Sequence, residues 1–265
     1  MKNKYAKPAI DNIYNSQICV DPYPHFKVDN FLDEDFFSKV VTELRNLKEV
    51  KNIKMLKNDK YHVGDILTDI KDKELADTAP FTLELKKFLS SSKFFTAIAN
   101  KIKPYAASSL QVDQLEISKS LDKKLFDSSI NAIMPGKAVK RRGVHLDHPS
   151  VGIAFLLYVR FDDDYSSGGS LQLLSQENRL SITSGKMFIG QMLHVYPTDM
   201  TVIKSYEYMN NRLVVFSNSQ HLLHEVSTRR HATLPRISFQ GSLSVKNAKI
   251  ETPSNISTKI KSIFS

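Results

Sequence analysis

Two histidines, an aspartate and an arginine carry the chemistry that can be read from this chain. His145-Leu146-Asp147 sets an imidazole and a carboxylate two residues apart. In a strand that spacing turns both side chains to one face, so one strand can offer two of the three ligands of a facial metal triad. Alone, the triplet suits a surface His and Asp near a turn equally well, because the chain has eight histidines and such triplets arise by accident. A third ligand should come from a later strand that pairs nearby. His224 follows the apolar run Arg212-Leu213-Val214-Val215-Phe216 after a short loop, and His221 competes with it for that role. Arg236 opens a further run, Arg236-Ile237-Ser238-Phe239-Gln240. Period two puts Arg236, Ser238 and Gln240 on one face and Ile237 and Phe239 on the other. A guanidinium inside a buried strand needs a partner such as a carboxylate. An arginine at a strand end facing water is the plain alternative.

Elements able to position these groups can be read from periodicity. His25 to Val28 alternates like a strand, and Asp33 is placed to cap a helix. Phe36, Phe37, Val40, Val41, Leu44 and Leu47 then recur at helical spacing. Helices are predicted over about Phe81–Leu89 and Ser92–Ile102, the second ended by Pro104. From about Leu110 the character changes. Short β-type runs follow at Val112–Ile117, Ile130–Met134, Val151–Arg160, Ser170–Leu174, Met200–Tyr206, Arg212–Ser217 and Ile237–Val245, with Pro135-Gly136 and Gly168-Gly169 as punctuation. Helices first and strands after predict an α+β chain whose β part is a sandwich or jelly roll. The boundaries expected are a mostly helical flank over 1–109, a β core over 110–245 and a tail over 246–265, all in one domain. The long stretch from Gln176 to Asp199, with His194 and Tyr196, reads as a surface insertion or as a lid over the site.

Bulk properties narrow the classes. A chain of 265 residues can bury a sizeable core. The single cysteine, Cys19, excludes an intrachain disulfide and any zinc or iron–sulfur site built from this chain's cysteines alone. Together with a start that lacks the apolar core of a signal peptide, it predicts a cytoplasmic protein. The apolar run Val151–Val159 is too short to cross a membrane. Net charge is +9, from 37 basic and 28 acidic residues. Lys51, Lys54, Lys57 and Lys60 read as a solvated face. The tighter cluster Lys137, Lys140, Arg141 and Arg142 could steer an anionic substrate. No nucleic-acid motif stands behind the charge, and a nucleic-acid partner is not expected.

The ordered set of motifs is more specific than any one of them. Pro22-Tyr23-Pro24-His25-Phe26 through Asp29-Asn30-Phe31-Leu32, then His145-x-Asp147, Tyr158-Val159-Arg160, Gly168-Gly169-Ser170-Leu171, Asn211 to Phe216, His224-Glu225-Val226 and Arg236-x-Ser238 follow one another in order. In that order they resemble the 2-oxoglutarate/Fe(II) dioxygenase superfamily, and within it the prolyl-4-hydroxylase-like branch. The resemblance is strongest between about 130 and 245. It implies a double-stranded β-helix (jelly-roll) core with N-terminal flanking helices. It implies Fe(II) held by His145, Asp147 and His224. It also implies 2-oxoglutarate held at its distal carboxylate by Arg236, with Ser238 assisting and Tyr158 hydrogen-bonding the same co-substrate, and it admits ascorbate. His148 stands where many relatives carry asparagine. Asp147 stands where related halogenases carry a small residue, which points to hydroxylation; desaturation and cyclisation stay open. The substrate expected is a small molecule or a peptide, with a lean towards an anionic one.

Two other classes share these residues. A metal-dependent hydrolase or isomerase on a cupin-like barrel would use the same two histidines and aspartate but give Arg236 no role. A non-catalytic barrel would bind neither metal nor co-substrate.

Overall fold

The computed structural model describes residues 1, 3–21, 23–47, 72–109, 114–133, 144–147, 150–176, 187–189, 192–194, 200–218 and 223–245. Outside the described residues lie the lysines from Lys51 to Lys60, the basic cluster Lys137–Arg142, His148, Tyr196, His221 and the tail after Val245.

Six helices and twelve strands make up the described chain. In order they are α1 (Asn3–Asn15), β1 (Ile18–Cys19), β2 (His25–Val28), α2 (Glu34–Asn46), α3 (Asp72–Thr78), α4 (Pro80–Leu89), α5 (Ser92–Ser109) and α6 (Gln114–Asp122). Then come β3 (Phe126–Ile133), β4 (His145–Leu146), β5 (Val151–Val159), β6 (Leu171–Gln176), β7 (Met187–Ile189), β8 (Met192–His194), β9 (Met200–Tyr206), β10 (Leu213–Ser217), β11 (His224–Val226) and β12 (Arg236–Ser244). The strands form two antiparallel six-stranded sheets, ordered β1-β2-β10-β5-β12-β3 and β7-β8-β4-β11-β6-β9. The fold is α+β. None of the described helices is long and apolar enough to cross a membrane.

The first sheet is covered on both faces, and the strand sequences show why. Phe155, Leu157 and Val159 of β5, Leu213 and Val215 of β10, and Ile237, Phe239 and Leu243 of β12 pack against the helices. The alternate residues Ala154 and Tyr158 of β5 and Val214 and Phe216 of β10 turn the other way. They meet Leu171 and Leu173 of β6 and Tyr206 of β9 from the second sheet. A strand buried on both faces reads as one continuous apolar run, which is what Val151-Gly152-Ile153-Ala154-Phe155-Leu156-Leu157-Tyr158-Val159 is.

The helical layer follows from its apolar faces. Phe36, Phe37, Val40 and Leu44 are the buried face of α2, and the Asp33 carboxylate accepts the amide of Phe36 at 3.0 Å, as a helix N-cap should. Residue Ala79 cannot cap α4. Glu43 reaches across from α2 instead and accepts the amides of Phe81 (3.0 Å) and Thr82 (2.7 Å) and the Thr82 hydroxyl (2.9 Å).

Three helical features depart from expectation. Alternation over Val112–Ile117 predicts a strand, but α6 begins at Gln114, with Ile117 and Leu121 packed inward at helical spacing. Six residues of alternation are too few to outweigh that spacing. Pro104 does not end α5, which runs on to Ser109. The carbonyl that loses its partner belongs to exposed Asn100, where water can replace the missing bond. Helix α1 lies in the flank expected to be mostly helical, although no helix was marked there individually. It contains Pro8, and half of its buried face, Ala6, Ala9, Ile10 and Ile13, is alanine.

Two distant segments are clamped together at Asn211. Its backbone is left-handed, φ 53°, a conformation asparagine tolerates better than most residues. Its side chain accepts the amide of Leu32 and donates to the Leu32 carbonyl, both at 2.9 Å. Arg212 beside it pairs with Asp29 at 2.5 Å. The turn before α2 is thus fixed to the start of β10. Replacing Asn211 with alanine strands two buried backbone groups and strains the turn; a loss of about 2–3 kcal/mol is expected, measured by denaturant unfolding.

Candidate metal and anion site

His145 and His224 are directly opposite each other in neighbouring antiparallel strands, β4 and β11. Cross-strand partners point to the same face, so both rings share one side of the second sheet, 4.3 Å between centroids. Asp147 follows His145 by two residues and reaches the same place. Its Oδ1 lies 3.8 Å from His145 Nε2 and 3.7 Å from His224 Nε2. The three candidate ligand atoms all lie within 4.8 Å of one another, a spread that one ion can draw together. Both rings are buried, while Asp147 keeps 17% of its side-chain surface, so the group is open on the carboxylate side. The His224 ring rests against Phe216 of the facing sheet, 5.1 Å between centroids. Two imidazoles and a carboxylate on one face form a donor set for a divalent transition metal.

A second polar group borders the same space between the sheets. Arg236 is 2% exposed, which removes the water-facing alternative. Its Nε donates to the Gly169 carbonyl at 3.0 Å, and its guanidinium lies 4.9 Å above the Tyr158 ring and 5.4 Å from the Tyr208 ring. Gly169 has φ +78°, and a Cβ there would meet Arg229 at 3.0 Å and Arg236 at 3.5 Å. Only backbone fits between the two arginines. Ser238 pairs with Tyr158 across β12 and β5, so both side chains share the inward face with Arg236. Arg236 Nη2 and Ser238 Oγ are buried and have no hydrogen-bond partner among the described residues. Tyr158 Oη lacks hydrogen-bond geometry as well, but lies close enough to the guanidinium to feel its charge. Burial raises the Tyr158 phenol above its usual range, and Arg236 opposes that rise.

Neighbouring cations are arranged differently. Arg229 is buried too, but its Nη2 meets Asp164 at 2.9 Å and Ser166 at 2.9 Å. Arg160 donates to the carbonyls of Tyr208, Asp164 and Ser166. Tyr208 is the hub between them. Its hydroxyl donates to Val159 O at 2.6 Å and accepts the Ile237 amide at 3.1 Å. Burial pushes its phenol up to about 12, so it stays protonated. Tyr208 did not stand out in the sequence; its signal is a tyrosine two residues after Tyr206 in an otherwise polar run, which is common in strands.

All six residues singled out from the sequence therefore lie around one apolar cluster between the sheets. His145, Asp147 and His224 stand together, and Arg236, Tyr158 and Ser238 stand together. The 176–199 insertion contributes β7 and β8, which extend the second sheet beside β4, with His194 opposite His145.

No family model matches the chain, and no curated protein matches it. Solved structures similar to it include a Pseudomonas putida prolyl-4-hydroxylase (14% identity, 91% of this chain and 95% of that one, TM-score 0.41). A prolyl 4-hydroxylase from Phytophthora capsici is 16% identical over 97% of this chain and 72% of that one, TM-score 0.47. A Trichoplax adhaerens prolyl hydroxylase, solved with a hypoxia inducible factor peptide, is 12% identical over 92% and 90%, TM-score 0.46.

Loss of one imidazole should abolish a three-ligand site. His224→Ala is expected to weaken Mn(II) binding by more than about 100-fold, beyond what loss of an outer partner causes. Titration followed by the paramagnetic resonance of free Mn(II) measures it.

Proposed function

We propose that this chain is an Fe(II)- and 2-oxoglutarate-dependent dioxygenase that hydroxylates its substrate. The observation that carries the reading is Arg236. A buried guanidinium is costly unless paired, and its neighbour Arg229 has its carboxylate in Asp164. Among the described residues Arg236 has only a backbone carbonyl and ring faces, with Nη2 and Ser238 Oγ left open beside it. A carboxylate-bearing molecule that also reaches the His-Asp-His group completes both. In this reading His145, Asp147 and His224 hold Fe(II), Arg236 and Ser238 bind the distal carboxylate of 2-oxoglutarate, and Tyr158 donates to it.

Three protein ligands leave the other positions of a six-coordinate ion for exchangeable groups. With these bound, the iron and the oxoacid supply the oxidising step: substrate, 2-oxoglutarate and dioxygen give hydroxylated substrate, succinate and carbon dioxide. The chain's own part is to bind, orient and exclude water. Tyr158 and Tyr208 wall the anion end, and Phe216 shields His224.

The strand order supports a jelly-roll reading. Strands β3, β4, β5, β6, β9, β10, β11 and β12 go to the first, second, first, second, second, first, second and first sheet. We read that alternation as the winding of a double-stranded β-helix, with β1, β2, β7 and β8 as additions at the edges. We read 1–265 as one dioxygenase domain, with 1–109 a mostly helical flank, 110–245 the core and 246–265 a tail. The substrate is a small molecule or a peptide, and the single cysteine suits a cytoplasmic setting.

The test is succinate formation in air by protein purified without oxygen and supplied with Fe(II) and 2-oxoglutarate, with and without ascorbate. Production that stops in His145→Ala is expected. Arg236→Ala should raise the 2-oxoglutarate requirement at least about tenfold, the value of a charged hydrogen bond. No succinate, and no iron-dependent 2-oxoglutarate binding under anaerobic conditions, would overturn the reading. Metal-dependent hydrolysis that survives Arg236→Ala would put the hydrolase in its place.

A further inference from the structure

The segment Tyr23-Pro24-His25 has no part in the function above, yet it brings two buried polar atoms to the space between the sheets. Both residues have no exposed surface, and neither Tyr23 Oη nor His25 Nε2 has a hydrogen-bond partner among the described residues. The backbone that carries them is fixed. The Ser217 amide of β10 donates to the Pro24 carbonyl at 2.9 Å. His25 is in register with Phe216, the residue whose ring rests on His224. His25 Nδ1 lies 2.6 Å from the Tyr23 carbonyl. A carbonyl only accepts, so Nδ1 carries the proton, and His25 locks the turn that aims Tyr23.

Tyr23 belongs to the same buried cluster as Phe216 and Leu173, the residue opposite His224 in β6. It is therefore part of the wall that shields the metal ligands. A phenol keeps its proton at neutral pH, so the Tyr23 hydroxyl is an O–H donor. A buried donor that meets no acceptor among the described residues, in the cluster that borders the metal ligands, is placed for an oxygen that arrives with the metal.

We propose that Tyr23 is a further residue of the metal site. Its hydroxyl donates a hydrogen bond to an oxygen atom carried by the ion that His145, Asp147 and His224 bind, and His25 is the positioning residue that aims it. This rests on the metal part of the function proposed above and not on 2-oxoglutarate.

The test uses the full chain with Mn(II) alone as probe, its affinity read from the resonance of free ion and its bound water from water-proton relaxation. Tyr23→Phe deletes a hydroxyl with no partner among the described residues, so its melting temperature without metal should equal or exceed the parent's. Mn(II) should bind about tenfold more weakly, in the range for residues that support ligands from outside, with altered water relaxation. His25→Phe should weaken Mn(II) likewise, and His25→Asn, which keeps a donor towards the Tyr23 carbonyl, should recover part of the loss. Unchanged affinity and relaxation in Tyr23→Phe overturn the proposal. So does a lowered metal-free melting temperature with unchanged affinity, which would make the hydroxyl structural. If the parent binds Mn(II) no better than His145→Ala, the metal reading falls and takes this proposal with it. If parent and Arg236→Ala bind Mn(II) alike and 2-oxoglutarate binds to neither, only the dioxygenase reading falls, and the Tyr23 result stands.

Discussion

Strand β12 lies between β5 and β3, hydrogen-bonded on both sides, with Ser238 opposite Tyr158 and Asn131. Its side chains divide between two very different surroundings. Ile237, Phe239 and Leu243 enter the helical core, while Arg236 and Ser238 face the space between the sheets. A slip of one residue would push a guanidinium into that core and turn phenylalanine towards the site. The apolar face thus holds the polar face in register, and the placement of every group at the anion end depends on it. The same logic governs the metal group, where direct pairing of β4 with β11 sets His145 against His224.

This dependence explains how much of the molecule was legible in the sequence. Strands buried on two faces leave long apolar runs, so β5 and β10 fell where periodicity put them. The pattern of Arg236, Ser238 and Gln240 on one face was visible because period two is strict. Other features depend on partners far away in sequence. The cap of α4 comes from Glu43 on another helix, and nothing local to Ala79 announces it. Helix α1 buries Ala6 and Ala9 beside Ile10 and Ile13, and periodicity weighs the alanines lightly. Residues 114–121 hold alternation at one end and helical spacing at the other, and neighbouring helices decide between them.

Site residues show the same division. His145 and Asp147 are close in sequence and could be paired by spacing. His224 could be weighed against His221 only by context, and it is its register with His145 that places it at the site. Tyr23 lies more than a hundred residues from Asp147, and no short-range pattern links them. Tyr208 contributes through its position among three arginines, a role invisible until the sheets are assembled. The contrast between Arg229, closed by Asp164, and Arg236, closed by nothing charged among the described residues, likewise exists only in three dimensions.

The glycine pair at 168 and 169 has a consequence for how such a site can change over generations. Both residues are left-handed, and a Cβ on Gly168 would sit 2.0 Å from the Thr228 carbonyl oxygen. Nearly every single-codon change there is therefore barred by geometry before chemistry is consulted. Drift towards a different ligand has to begin on the far side of the guanidinium, at positions such as 158 or 238, where a side chain can be exchanged without moving backbone. Gly168 and Gly169 act as a fixed anvil, and the opposite wall is where variation can accumulate.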